Sequence, residues 1–116
     1  MAQHKLSQYA LSAKFPDVSA AKIVFVPVPF SGRLILVQSA LEGAITVDDA
    51  TITVDAGATE VGDLVVGYDG SAAGDVDSLV CDDVVSVGDT IKLDNDGGST
   101  DAASLGITMI IDRFGN

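Results

Sequence analysis

The sequence predicts an all-β domain, an antiparallel β-sandwich for which jelly-roll connectivity is one option. β-Branched residues dominate from Lys22 onward, and Gly, Asp and Asn recur at short intervals, which is typical of short strands joined by turns. No segment of helix length shows a helical period after that point. A chain of 116 residues is the size of one domain, and the pattern predicts about seven or eight strands in it.

Residues 1–20 are predicted to form an extended N-terminal arm, and residues 21–116 the β-sandwich domain. The arm shows a weak helical pattern through Leu6, Tyr9 and Ala13. This pattern ends at Phe15, because the residue before a proline disfavours the α conformation.

Residues 23–37 form two nearly all-apolar runs that meet at Ser31 and Gly32. A strand that is apolar on both faces must be covered on both faces, so we expect this hairpin to cross the core or to lie in a subunit interface. Pro27 and Pro29 remove N–H groups from the same side of the first strand, which predicts an edge strand.

The strand after this turn is predicted over residues 33–39, with Leu34 and Leu36 on one face and Ile35 and Val37 on the other. Alternation in the later strands predicts which of their apolar residues point inward. These are Ile52 and Val54, and Ile91 and Leu93. In the closing strand, Ile107, Met109 and Ile111 are predicted to share one side, and Thr108, Ile110 and Asp112 the other. Residues 64–66, 79–81 and 84–87 are predicted as short, fully apolar strands.

The charge of the chain is large and uneven. The net charge is −11, yet residues 1–33 hold four basic residues and one acid, so the arm is mildly basic and the body acidic. The arm then either docks on another molecule or is a frayed terminus with incidental lysines. Strong acidity argues against nucleic acid as a partner. We also expect no membrane span and no secretory signal, since the longest apolar run is far too short.

The sequence contains few candidate residues for catalysis or metal binding. His4 is the only histidine and lies in the arm, so Cys81 has no imidazole in the domain to activate it, and we expect its thiol to be buried. Residues 94–97 (Asp-Asn-Asp-Gly) look superficially like a calcium loop, but the ligand spacing is wrong and a solvated hairpin turn is favoured. We expect no catalytic residue, no metal and no cofactor.

Four segments of the sequence nevertheless resemble those of a known family. They are residues 21–33, 45–54, 70–78 and 87–93. In this order they resemble the capsid decoration proteins, or cement proteins, of tailed bacteriophages. The resemblance implies a protein without enzymatic activity that binds the assembled lattice of the major capsid protein, commonly as a homotrimer. It also implies synthesis in the host cytoplasm and a place on the outer surface of the virion capsid, which the protein stabilises.

Under this interpretation two groups of residues take part in binding. We expect Lys5, Lys14 and Lys22 to dock on the capsid. The subunit interface is predicted at Phe25, Val26, Pro27 and Phe30, with an ordinary intrachain core as the alternative for this stretch.

Other classes of function stay open. A β-sandwich also suits a receptor-binding or glycan-binding module of a phage fibre or surface protein. The absence of Trp and the scarcity of aromatic residues count against that alternative. A cation-dependent adhesin and a small hydrolase are the remaining options.

Overall fold

The computed structural model describes residues 8–99 and 101–114, which form two antiparallel four-stranded sheets packed into a β-sandwich. This confirms the predicted fold class. The strands in this part of the chain are β1 (Gln8–Phe15), β2 (Lys22–Pro27), β3 (Gly32–Leu41), β4 (Ala50–Ala56), β5 (Thr59–Val66), β6 (Val76–Val85), β7 (Thr90–Asn95) and β8 (Leu105–Arg113). The described residues include no helix long and apolar enough to cross a membrane.

The strand order is nested. Sheet I has the order β1-β8-β3-β6, and sheet II has the order β2-β7-β4-β5. The first strand therefore pairs with the last, the second with the seventh, the third with the sixth, and the fourth with the fifth. Because most of these partners are far apart in sequence, the sheets depend on contacts that no local pattern specifies.

The core lies between the two sheets and takes alternate residues from nearly every strand. The four residues predicted to point inward, Ile52, Val54, Ile91 and Leu93, are all buried in it. Ile107, Met109 and Ile111, predicted to share one side of the last strand, are buried as well. These predictions are confirmed because a two-residue period places successive side chains on opposite faces of a strand.

The weak helical pattern predicted in the arm is wrong, since Gln8–Phe15 is a strand paired along its whole length with β8. Its inward positions include Leu11, opposite Met109, and Phe15, which is fully buried opposite Leu105. This segment of the predicted arm is therefore part of the sandwich. Residues 1–7 lie outside the described residues.

The predicted hairpin over residues 23–37 is also wrong, because β2 and β3 belong to different sheets. β2 pairs only with β7 and is an edge strand, as Pro27 and Pro29 predicted. The chain then crosses the sandwich and enters sheet I as β3. Two apolar runs in succession here mark a crossing of the core rather than two paired strands.

An irregularity in β3 changes the side on which its residues lie. The pairing register shifts between Leu34 and Leu36 on both sides of the strand. Leu34 and Val37 are consequently both fully buried, while Leu36 turns to the outer face. The prediction that Leu34 and Leu36 share a face fails because a β-bulge breaks the two-residue period.

The two short apolar strands predicted over residues 79–81 and 84–87 are not separate: residues 79–81 and 84–85 belong to one strand, β6, at the edge of sheet I, and residues 86–87 lie beyond its end. Val80 is 80% exposed and Val84 is 55% exposed. Both valines therefore lie open on the outer face of the described chain.

Candidate interaction surface

Cys81 is not an activated thiol. It lies half-buried on β6, and burial, followed by the nearby carboxylates of Asp83 and Asp82, raises the pKa of the thiol to about 11. At neutral pH the group is therefore protonated and a weak nucleophile. His4, the other candidate for this chemistry, lies outside the described residues.

The described residues hold no group of three or more His, Cys, Asp or Glu side chains that could bind a metal ion. At the end of β7, the side-chain amide of Asn95 donates to the carbonyl oxygens of Val18 at 3.2 Å and Ala20 at 3.1 Å. Asn95 is fully buried, so the predicted solvated hairpin turn is wrong at this position. The loop fastens the segment between β1 and β2 to sheet II.

The structure places the three predicted capsid-binding lysines apart. Lys14 lies on β1 in sheet I, where its Nζ is 3.2 Å from a carboxylate oxygen of Glu42, and both side chains are at least half exposed. Lys22 begins β2 in sheet II and is exposed. Lys5 lies outside the described residues.

The four predicted interface residues also separate. Phe25 is 59% exposed and Pro27 is exposed, and both point outward from sheet II. Val26 is buried in the intrachain core, the alternative left open by the sequence, because it faces inward between its two neighbours on β2. Phe30 is half-buried: its ring centroid lies 4.8 Å from that of Tyr9, and the Arg113 guanidinium lies 5.6 Å from its centroid.

The outer face of sheet I carries a patch of mostly uncharged residues. In its first row, Ala10, Ile110, Leu36 and Val80 lie side by side across all four strands. The second row is uncharged as well, whereas the third row begins with Lys14 on β1 and continues with uncharged residues on the other three strands. We call the following set the neutral face: Ala10, Ser12, Leu36, Gln38, Ala40, Val76, Ser78, Val80, Gly106, Thr108 and Ile110.

A shallow depression lies on the neutral face. Its volume is about 240 Å³, and Gln38, Ala40, Val76, Gly106 and Thr108 are among its lining residues. Gly106 has no side chain, and its neighbour Ala40 has a short one, so the surface is low here. The aliphatic row described above stands beside this depression.

Ion pairs and polar groups border the neutral face. At one end, Nη1 of Arg33 is 3.0 Å from a carboxylate oxygen of Asp82. At the other end stands the pair formed by Lys14 and Glu42. This arrangement, an uncharged centre with a charged rim, is the usual anatomy of a protein contact surface.

The outer face of sheet II is different, because charged residues occupy its central positions. The register places Asp55 opposite Lys92 on its neighbour β7 and opposite Glu60 on its other neighbour, β5. Asp94 and Asp63 flank Thr53 in the same way. Four acids and one lysine thus share this face, and the two broad sides of the molecule differ sharply in charge.

The neutral face could not be predicted from the sequence. Alternation in β8 was visible in the sequence, and it placed Thr108 and Ile110 on the side opposite Ile107, Met109 and Ile111. The pairing of β8 with β1 and β3, and of β3 with β6, was not visible in the sequence. Only this pairing brings the uncharged positions of the four strands together.

No protein-family model and no curated protein sequence matches the chain. Among solved structures, it is similar to a chain of the acidic stable capsid structure of Helicobacter pylori bacteriophage KHP30. The TM-score is 0.61 at 12% identity, and the match covers 89% of this chain and 85% of that chain.

The chain is also similar to the nucleoplasmin-like N-terminal domain of Drosophila FKBP39. Here the TM-score is 0.55 at 14% identity, with 96% of this chain and 95% of that chain covered. At identities this low, the two matches establish a shared β-sandwich fold.

Proposed function

We propose that this protein is a structural component of a bacteriophage virion, which decorates the outer surface of the head and stabilises the capsid lattice by bridging neighbouring capsid subunits. The observation that carries the proposal is the fold shared with a chain of a phage capsid structure over 89% of this chain. The four sequence phrases that resemble decoration proteins point to the same class from a separate direction.

The winding of the strands supports a capsid role. The nested order, with β1 beside β8, β2 beside β7, β3 beside β6 and β4 beside β5, supports jelly-roll connectivity, which we propose for this sandwich. Jelly rolls occur in viral capsid domains and also in lectins, so the fold agrees with both functions considered from the sequence. The capsid role is favoured because the solved relative comes from a capsid.

A protein of this kind acts by contact. A clamp that bridges neighbouring capsid subunits adds buried interface, which raises the free energy needed to separate them. No covalent chemistry is required, which agrees with the protonated thiol of Cys81. We accordingly propose a non-enzymatic protein whose partner is the major capsid protein.

The predicted contacts are carried into this proposal with one change. Lys5, Lys14 and Lys22 are proposed to dock on the capsid. Phe25, Pro27 and the half-buried Phe30 are proposed to close a homotrimer. Val26 is left out, because its side chain fills the core.

Sedimentation with phage heads tests the proposal. Heads are prepared without this protein from the phage whose genome encodes it. Purified protein is mixed with these heads, which are then pelleted and heated. We expect a fixed copy number per capsid subunit in the pellet and a higher temperature of head disruption. Failure to sediment with heads, together with absence from purified virions, would contradict the proposal.

Alanine substitutions test the lysines. Deleting residues 1–20 is unsuitable, because it removes β1 and takes Phe15 out of the core. The triple variant K5A/K14A/K22A should weaken binding to heads about tenfold or more, through lost charge contacts. The control is K92A, which removes one lysine from the outer face of sheet II. Equal binding by the triple variant and the wild type would refute the docking role.

A further inference from the structure

We infer that Arg113 of one copy of this chain binds the carboxylate of Asp94 in a neighbouring copy, and that this ion pair fixes how the subunits of the homotrimer meet. The inference rests on the homotrimer of the proposed function, and it adds a charged contact to the aromatic residues proposed there. It is supported by the different partners of the two arginines and by the surroundings of Asp94.

Both arginines of the chain lie where β3 begins and β8 ends, and each lies over an aromatic ring. The Arg33 guanidinium is 5.9 Å from the centroid of Phe114, and it also pairs with Asp82 at 3.0 Å. The Arg113 guanidinium is 5.6 Å from the centroid of Phe30. The ion pairs of the described residues do not include Arg113. Its charge is therefore left for a second molecule.

Aromatic rings support the Arg113 guanidinium. Phe30 packs on Tyr9 of β1, with the two ring centroids 4.8 Å apart, so β1 holds the ring beneath the guanidinium. A guanidinium over a ring keeps N–H groups at its edge, and these bind a carboxylate in a bidentate pair. Tyrosine and arginine are also enriched among the residues that contribute most to protein contacts. We call Tyr9, Phe30 and Arg113 the Arg113 cluster.

Asp94 is the carboxylate best suited to bind the Arg113 cluster of another copy. The register places it on the outer face of sheet II between Ile23 and Thr53, so no cation stands directly opposite it. Asp55, the nearest acid in the adjoining row, stands opposite Lys92 instead. Ile23 is 46% exposed, so a contact that covers it also takes water from Asp94. A carboxylate covered in this way needs a cation from the partner.

Arg113 and Asp94 lie on different sheets and near opposite ends of the sandwich. Asp94 stands opposite Ile23, near the start of β2, whereas the Arg113 cluster includes Phe30, which follows the end of β2. A contact that joins two different patches can close into a ring of identical subunits, and a homotrimer is such a ring. Phe30 then belongs to one patch and Phe25 to the other, so the ion pair adjoins the proposed aromatic contact.

Charge reversal tests the ion pair. Sedimentation equilibrium of the purified protein gives the concentration at which half of the chains are trimeric. We expect R113D and D94R each to raise this concentration about tenfold or more, because like charges then meet at every contact. The double variant R113D/D94R should return it to within about threefold of the wild type, since the pair is reversed but complete.

The two reversals also separate the ion pair from the net charge. R113D makes the net charge of −11 more negative and D94R makes it less negative. General repulsion between copies would therefore weaken assembly of R113D and strengthen assembly of D94R. The matched control is R33D, which makes the same charge change over a ring at the same end, where Arg33 already pairs with Asp82 of its own chain. It should change the concentration by less than about threefold.

Several results would overturn the inference. These are a wild type that stays monomeric at millimolar concentration, an R113D or D94R variant that assembles as well as the wild type, and an R33D variant as weak as R113D. A double variant that stays as weak as the single ones, yet unfolds in urea like the wild type, would do the same. These measurements use no capsids, whereas the proposed function is tested with heads, so the two failures are distinguishable.

Discussion

At the scale of single residues, the loop after β7 shows how local geometry organises the sandwich. Gly97 has φ near 71° in the left-handed region, and a Cβ added there would lie 2.7 Å from the backbone nitrogen of Ala21. The loop can approach the segment before β2 this closely only because position 97 has no side chain. The amide of Asn95 then holds the same segment from the other side.

Alanine substitution separates the two requirements for glycine at position 97, which are the positive φ angle and the close approach to Ala21. Gly70 has a similar φ of 72°, but a Cβ added there meets nothing within 4 Å. G70A should therefore lose only about 1 kcal/mol of unfolding free energy, from the backbone conformation. G97A should lose about 1–3 kcal/mol more, because Ala21 must shift. Urea denaturation measures both, and equal losses in the two variants would show that the close approach is unimportant.

At the scale of elements, β1 is the clearest difference between the sequence pattern and the structure. Tyr9, Leu11, Ala13 and Phe15 fit a two-residue period, yet the alanine, serine and lysine between them are weak strand formers. The local sequence was therefore ambiguous, and pairing with β8 along the full length of the strand decides it. β4, β7 and β8 were predictable, since strict alternation with β-branched residues leaves little ambiguity.

A matched pair of phenylalanines tests whether β1 belongs to the folded body. Phe15 is fully buried at the end of β1, and Phe25 is 59% exposed on β2. F15A should lose about 3–5 kcal/mol of unfolding free energy, because it leaves a cavity in the core. F25A should change it by less than about 0.5 kcal/mol. Measurement at micromolar protein concentration keeps any association small, and a fully stable F15A would show that β1 is dispensable.

At the scale of the whole molecule, charge and topology act in different ways. The long-range pairing of the strands makes the sandwich a single cooperative unit, because most strands complete their sheet with a distant partner. The net charge of −11 acts against compactness through self-repulsion. The described ion pairs, Lys14 with Glu42 and Arg33 with Asp82, are exposed and contribute little stability.

Salt should therefore stabilise the fold. Raising NaCl from about 20 mM to about 500 mM shortens the screening length to a few ångströms, which weakens repulsion between the acids. We expect the melting temperature to rise by about 3–6 °C, as for a gain near 1 kcal/mol in a domain of this size. KCl serves as the control, since screening by either salt should give the same rise. A lower melting temperature in salt would show that attractive charge pairs dominate.

The sequence by itself determined the all-β class, the inward faces of the regularly alternating strands, and the edge position of β2, because each follows from local period or from the chemistry of proline. The tertiary structure decided which strands pair, where the bulge in β3 reverses a face, and that Val80, Leu36, Ile110 and Ala10 lie in one row. These features join residues up to a hundred positions apart. They depend on the packing of the complete sandwich, which no local pattern of residues specifies.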